Sequence, residues 1–297
     1  MNRIKDQIRC GAAYRLGLTG KGIGVAVLDT GIFLHRDFDS RITGFADMVN
    51  GKTFAYDDCG HGTHICGIIG GSGRMSGGRY SGIAPGCDLV MVKVLDRRGN
   101  GYSSDVLAGI SWILERKEKL GIRILNISVG ACSKRGMSEN SALVKGVNRA
   151  WDAGLVVVVA AGNNGPRTMS ITTPGISRKV ITVGCSDDDR EVLVGGNRMV
   201  DYSGRGPTAA CICKPDLVAP GCSVVSCAGR ADKYTIKSGT SMSTPIVSGA
   251  TALLLERYPD MTNKDVKLKL RESCTDIGLP RNQQGWGLLD VEKLVSK

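Results

Sequence analysis

Gly20-Lys21-Gly22-Ile23-Gly24-Val25-Ala26-Val27-Leu28-Asp29-Thr30-Gly31 reads as glycine punctuation, an unbroken apolar run, and an acid set in a Thr-Gly turn. A run without polar alternation predicts a strand covered on both faces, the habit of parallel sheets flanked by helices. An acid at the carboxyl end of such a strand stands where open α/β sheets assemble their sites. Before Thr-Gly it serves equally well as a turn cap.

Outward from this strand the same alternation recurs. Apolar runs predict strands over 88–94, 123–129, 155–161 and 179–184, separated by helical patterns over 103–119 and 138–153. Val106, Ile110, Ile113 and Leu114 make one apolar face of the first of these helices. Residues 61–70 also repeat at helical spacing, which puts His61 in a first turn and His64 one turn on. Residues 41–59, 201–207 and 215–221 read as irregular or loop-rich, 70–82 as a glycine-serine loop, 223–227 as a short strand and 262–274 as the final helix. The sum is a doubly wound, mostly parallel sheet with helices on both faces, in three layers, as one domain over 1–297.

Composition narrows the function classes. The 297 residues are 42% hydrophobic and 23% charged, with 41 glycines, as in a globular protein rich in tight turns. The net charge of +11 comes from scattered lysines and arginines, without the clustered basic and aromatic residues of a nucleic-acid surface. It implies solubility and a bias towards acidic surfaces. The first nine residues lack the apolar core of a secretory signal, and the apolar runs are too short to span a membrane. Eleven cysteines, odd in number and irregularly spaced, favour a reduced cytoplasmic setting. A secreted protein that has lost an upstream leader is the alternative.

Two stretches bear chemistry. Ser238-Gly239-Thr240-Ser241-Met242-Ser243-Thr244-Pro245 opens straight into the apolar run 246–255, so Ser241 falls at a helix N-terminus, where unpaired N–H groups favour negative charge. A plain helix cap reads the same way. Cys59, His61, His64 and Cys66 fall within eight positions, with Cys211 and Cys213 further on, which raises zinc as a rival. That spacing matches no common zinc pattern. A serine nucleophile needs a base, and the base needs a buried acid to hold its tautomer. Histidine is present only at 35, 61 and 64, so a histidine base has few candidates.

Val-Leu-Asp-Thr-Gly-Ile at 27–32, His-Gly-Thr-His at 61–64, Ala-Ala-Gly-Asn at 160–163 and Gly-Thr-Ser-Met-Ser-Thr-Pro at 239–245 resemble the four signature blocks of the subtilisin-like serine proteases. The likeness runs over about residues 10–293 and leans towards bacterial intracellular members. It implies a serine endopeptidase acting on polypeptides through an acyl-enzyme. Ser241 would be the nucleophile, His61 the base and then acid, and Asp29 the orienting group. Asn163 and the Ser241 N–H would hold the oxyanion. A peptide-binding protein that does not cleave would not require this full set.

The resemblance further implies that Gly99, Asn100, Gly101 and Ser128, Val129, Gly130 flank an extended peptide, that Ala161, Gly162 and Asn164 line the primary pocket, and that Thr173–Pro174 is cis. Asp57 and Asp58, shortly before His61, read either as solvated loop acids or as groups that favour a basic substrate side chain nearby. No cofactor is required. Structural calcium is left open, because Asp37 matches one acidic ligand while the 70–82 loop lacks the asparagine-rich ligands of many secreted members. The chain is expected to act as a monomer, without nucleic-acid or membrane partners. A start at Met1 leaves two alternatives, folding without a propeptide or a start downstream of one.

Overall fold

The computed structural model describes residues 1–130 and 139–296. In chain order the strands are β1 (Gly24–Asp29), β2 (Ile42–Asp47), β3 (Asp88–Lys93), β4 (Ile122–Ile127), β5 (Val156–Ala160), β6 (Ile181–Cys185), β7 (Val192–Val194), β8 (Asn197–Met199), β9 (Leu217–Ala219), β10 (Val224–Cys227) and β11 (Tyr234–Lys237). The α-helices are α1 (Asn2–Gln7), α2 (Gly11–Arg15), α3 (His61–Gly70), α4 (Ser103–Arg116), α5 (Ala142–Asp152), α6 (Thr240–Arg257), α7 (Asn263–Ser273), α8 (Arg281–Gln284) and α9 (Val291–Val295). Among the described residues, seven strands form one parallel sheet in the order β2-β3-β1-β4-β5-β6-β9.

The chain leaves β1 first to one side, through β2 and β3, and then to the other, through β4. The reversal between β1 and β4 opens a crevice at the carboxyl ends of these strands. β1 and β5 are buried at every position, and all but the first residue of β3 is buried, as their apolar runs require. Helices α3 and α6 pack on the sheet with each other, while α4 lies against β1 and α5 against β5 and α4. Residues from Met242 to Leu255 of α6 are all buried. This helix is buried on every side, against β4, β5, β6, β9 and α3, and the hydroxyls of Thr244, Ser248 and Thr251 are satisfied on its own carbonyls one turn back. Its far end is fixed by Glu256, whose carboxylate accepts the N–H groups of Thr19 (2.7 Å) and Gly20 (2.6 Å) just ahead of β1.

The expected doubly wound sheet is the observed one, and its errors are local. The irregular pattern over 41–59 hides β2, an edge strand that is mostly half-exposed and has no continuous apolar run. β9, within a stretch read as loop, is only three residues long and borders Pro215 and Pro220. The short strand expected over 223–227 is β10, whereas its partner β11, the β7–β8 hairpin and the short α1, α8 and α9 carry too little periodicity to be read locally. α4 ends at Arg116, short of the expected 119. α5 begins at Ala142 with Ser141 as its cap, and the expected start at Ser138 lies outside the described residues. Thr173–Pro174 is cis, as are three other X-Pro bonds.

Candidate active site

Asp29 is the last residue of β1 and wholly buried. Its Oδ1 accepts the Thr30 N–H at 2.8 Å and lies 2.7 Å from Nδ1 of His61, the first residue of α3. Two close backbone approaches set that distance. A Cβ on Gly62 would collide with the Gly31 carbonyl, and one on Gly31 with that of Tyr56. The Thr30 hydroxyl accepts the Gly62 N–H at 2.9 Å, so strand end and helix start are joined directly.

Burial of the His61 ring opposes its charged form, but the charge and hydrogen bond of Asp29 outweigh that, so its pKa lies above the ordinary 6.5. Lys237 pulls in the opposite direction. His64 has no such partner. Its Nε2 faces the carbonyls of Val224 (3.1 Å) and Thr235 (3.3 Å), and burial lowers its pKa to about 3, so it is a neutral structural residue.

Ser241 is the second residue of α6. The turn ahead of it needs glycine, because Gly239 has φ +138° and a Cβ there would lie 3.3 Å from Asn163 Nδ2. The Ser241 hydroxyl donates to the Ser128 carbonyl at 2.6 Å. Ser128 is itself placed by a buried polar chain, in which Asn126 Nδ2 donates to Ser128 Oγ (2.8 Å) and Ser248 of α6 donates to Asn126 Oδ1 (2.9 Å). Asn163 follows β5. Its Oδ1 accepts both the N–H (2.9 Å) and the hydroxyl (3.0 Å) of Thr240, which leaves the amide N–H groups as the free donors.

A cleft of about 450 Å³ gathers His61, Ser241, Asn163, Gly99, Ser128, Val129, Gly130, Gly162 and Asn164. Asn100 and Gly101 border an adjoining cavity with Val129 and Gly130. Ala161 is fully buried in a small apolar cluster with Val144, Ile171 and Ile176, and Ala160 reaches the cleft wall instead. Thr30, Leu95, Arg98, Thr172, Gly195 and Lys237 also line the cleft without a local pattern to mark them, and so does Cys59, which the sequence marks only as a possible metal ligand. Lys237 ends β11, a strand whose alternation is too short to read.

Asp57 and Asp58 are engaged within the protein, which fits neither plain solvated loop acids nor a free site for a basic side chain. Asp57 Oδ1 accepts from the Thr30 hydroxyl and the N–H groups of Cys59 and Gly60, and Oδ2 accepts the N–H and hydroxyl of Thr63, at 2.6–3.1 Å. It caps α3. Asp58 pairs at 2.8 Å with the ammonium of Lys93, whose side chain is fully buried.

The zinc alternative also fails on geometry, since His61 faces Asp29, His64 faces backbone carbonyls, Cys66 is buried and Cys59 is exposed. Burial pushes the Cys66 thiol well above its ordinary pKa. The residues around Asp37 do not fit calcium. Asp37 Oδ1 accepts the Met75 N–H (2.9 Å), and Oδ2 accepts the hydroxyl of Tyr234 (2.7 Å) and faces the Cys227 thiol. Arg41 occupies the carbonyls of Asp37, Gly70 and Cys87, and the Lys5 ammonium donates to Ser81 (2.6 Å). Calcium needs six to eight free oxygens, and cations already claim these.

Residues 20–287 match the family model described as peptidase S8, subtilase family. Serine protease AprX of Bacillus subtilis (strain 168) is 43% identical over 292 residues, which cover 93% of this chain and 65% of AprX. Subtilisin BL of Lederbergia lenta is 34% identical, over 97% of this chain and 96% of its own. The solved structure of sphericase superposes with a TM-score of 0.77 at 30% identity, covering 92% of this chain and 93% of that one. The chain belongs to the subtilase family of subtilisin-like serine proteases.

Proposed function

We propose that this chain is a serine endopeptidase working through Asp29, His61 and Ser241, with Asn163 and the Ser241 N–H as the oxyanion hole. The observation that carries the reading is the 2.7 Å Asp29–His61 contact in a cleft shared with Ser241 and Asn163. Asp29 holds the Nδ1–H tautomer, which leaves Nε2 as the base. As the Ser241 hydroxyl leaves the Ser128 carbonyl for Nε2, its Oγ attacks the peptide carbonyl and His61 takes the proton. Asp29 stabilises the imidazolium. His61 then returns the proton to the leaving amine, the acyl-enzyme forms, and water activated by the same ring releases the acid.

An extended peptide would lie between Gly99–Gly101 and Ser128–Gly130 and pair with their main chain. The carbonyl oxygen would meet the Asn163 amide, a donor worth about 3 kcal/mol in the transition state. No metal takes part in these steps. The chain would act as a monomer in the cytoplasm.

A quenched casein substrate tests the reading beside a phosphonyl fluoride. Cleavage is expected, with loss of activity on labelling at Ser241 and in Ser241→Ala, and a drop of roughly 10²–10³ in kcat for Asn163→Ala. Cleavage that survives Ser241→Ala would remove the nucleophile from its role.

A further inference from the structure

Beside the catalytic cleft lies a second cavity, of about 430 Å³, which shares Cys59 and Lys237 with it. Neither Gly99–Gly101 nor Ser128–Gly130 borders this cavity. It meets the catalytic cleft at Cys59 and Lys237 and not at the segments that would hold the acyl half of a substrate. Five charged side chains line it: Asp57, Asp58, Arg230, Lys233 and Lys237.

The two acids are largely committed within the protein. Asp57 is saturated by five donors at the start of α3, and Asp58, though exposed, pairs through Oδ1 with the buried Lys93, whose charge offsets its own. The cations stand differently. None of Arg230, Lys233 and Lys237 has a carboxylate within ion-pair distance among the described residues, and the nearby Asp232 is taken by Arg36 at 3.1 Å. Arg230 and Lys233 are exposed at the mouth, while Lys237 is half-buried where the two cavities meet. Cations left unpaired in a concave site raise the local potential and favour an anionic ligand.

We propose that this cavity is a subsite for an acidic side chain, Asp or Glu, of the substrate on the leaving-group side of the scissile bond. Lys237 is the inner contact, and Arg230 and Lys233 form the outer rim. The proposal rests on the reading of Ser241 and His61 as the cutting groups. It makes the preferred substrate an acidic polypeptide segment, the reverse of the basic preference that is one reading of Asp57 and Asp58 in the sequence alone. Each rim contact is solvated and individually weak, so selectivity comes from the three together and falls as salt screens them.

The test uses fluorogenic peptides alike up to the cut and differing only at the first two residues after it, as Asp, Glu, Ser or Lys, with the cleavage point fixed by mass spectrometry. The expected result is a kcat/KM about tenfold higher for the acidic than for the lysine peptides at low salt, shrinking towards unity near 0.5 M salt. In Arg230→Glu/Lys233→Glu the acidic-to-lysine ratio is expected to fall below one. Because the readout is a ratio within each enzyme, a general change in activity does not affect it. Cleavage of the serine peptide with no acidic preference, or with one that survives the double charge reversal, overturns the subsite and leaves the protease reading intact. A preference confined to residues before the cut overturns its placement. Failure to cleave any peptide overturns both readings.

Discussion

At the scale of single residues, the His61 environment fixes a pH profile. A general base acts when neutral, and Asp29 holds the His61 pKa above 6.5 against the burial of the ring and the charge of Lys237. The acid limb of kcat/KM is expected to have its midpoint above pH 6.5. In Lys237→Glu, where a cation that lowers the value becomes an anion that raises it, the limb is expected to move to higher pH; initial rates from pH 5 to 9 measure both. A limb at or below 6.5 would contradict the Asp29–His61 pairing as the active ground state. His64 has the opposite sign. Its pKa of about 3 keeps it neutral in the fold, so its contribution to stability is complete above 6.5 and is lost progressively as pH falls towards 3. Much of this site was legible in the sequence, because Asp29, His61, Asn163 and Ser241 each follow a strand or begin a helix in a short motif. Lys237 was not. Its place depends on the β10–β11 hairpin, and the commitments of Asp57 and Asp58 depend on donors from Thr30, Thr63 and Lys93 that no local pattern exposes.

Among the elements, α6 joins chemistry to core, and its small residues allow close packing. A Cβ added at Gly249 would lie 2.7 Å from Ile83 Cβ and 3.1 Å from its Cγ2. Alanine is favoured over glycine in a helix by about 1 kcal/mol. Ile83 is fully buried and held by its N–H to the Ile68 carbonyl, so the contact cannot relax cheaply, and overpacking of about 1–3 kcal/mol decides the sign. Gly249→Ala is therefore expected to lower stability despite its better propensity, as urea unfolding would register. An unchanged or higher midpoint would mean that the Ile83 segment yields freely. The long buried strands and α6 could be read from sequence because each carries its own apolar signature. β2 and β9 could not, since the first is half-exposed at an edge and the second spans three residues.

For the whole molecule, side chains fix the N-terminal region and the glycine loop. Arg3 bonds Asp187 (2.7 Å) and the Cys222 carbonyl (2.5 Å), Lys5 reaches Ser81, and Ile4 and Ile8 are buried. With Arg41 and Lys5 on the oxygens around Asp37, the thermal midpoint and the activity are expected to be the same in excess chelator and in millimolar calcium. A shift of several degrees between the two would place a calcium ion that these contacts do not accommodate. The proposed catalytic groups come from residues 29, 61, 163 and 241, brought together by a sheet whose strand order differs from chain order. A polypeptide growing from the ribosome presents the acid and the base long before the nucleophile. Only when α6 has emerged and threaded the core does the hydroxyl face its partners, so the nascent chain passes through synthesis without the means to cut itself or its neighbours.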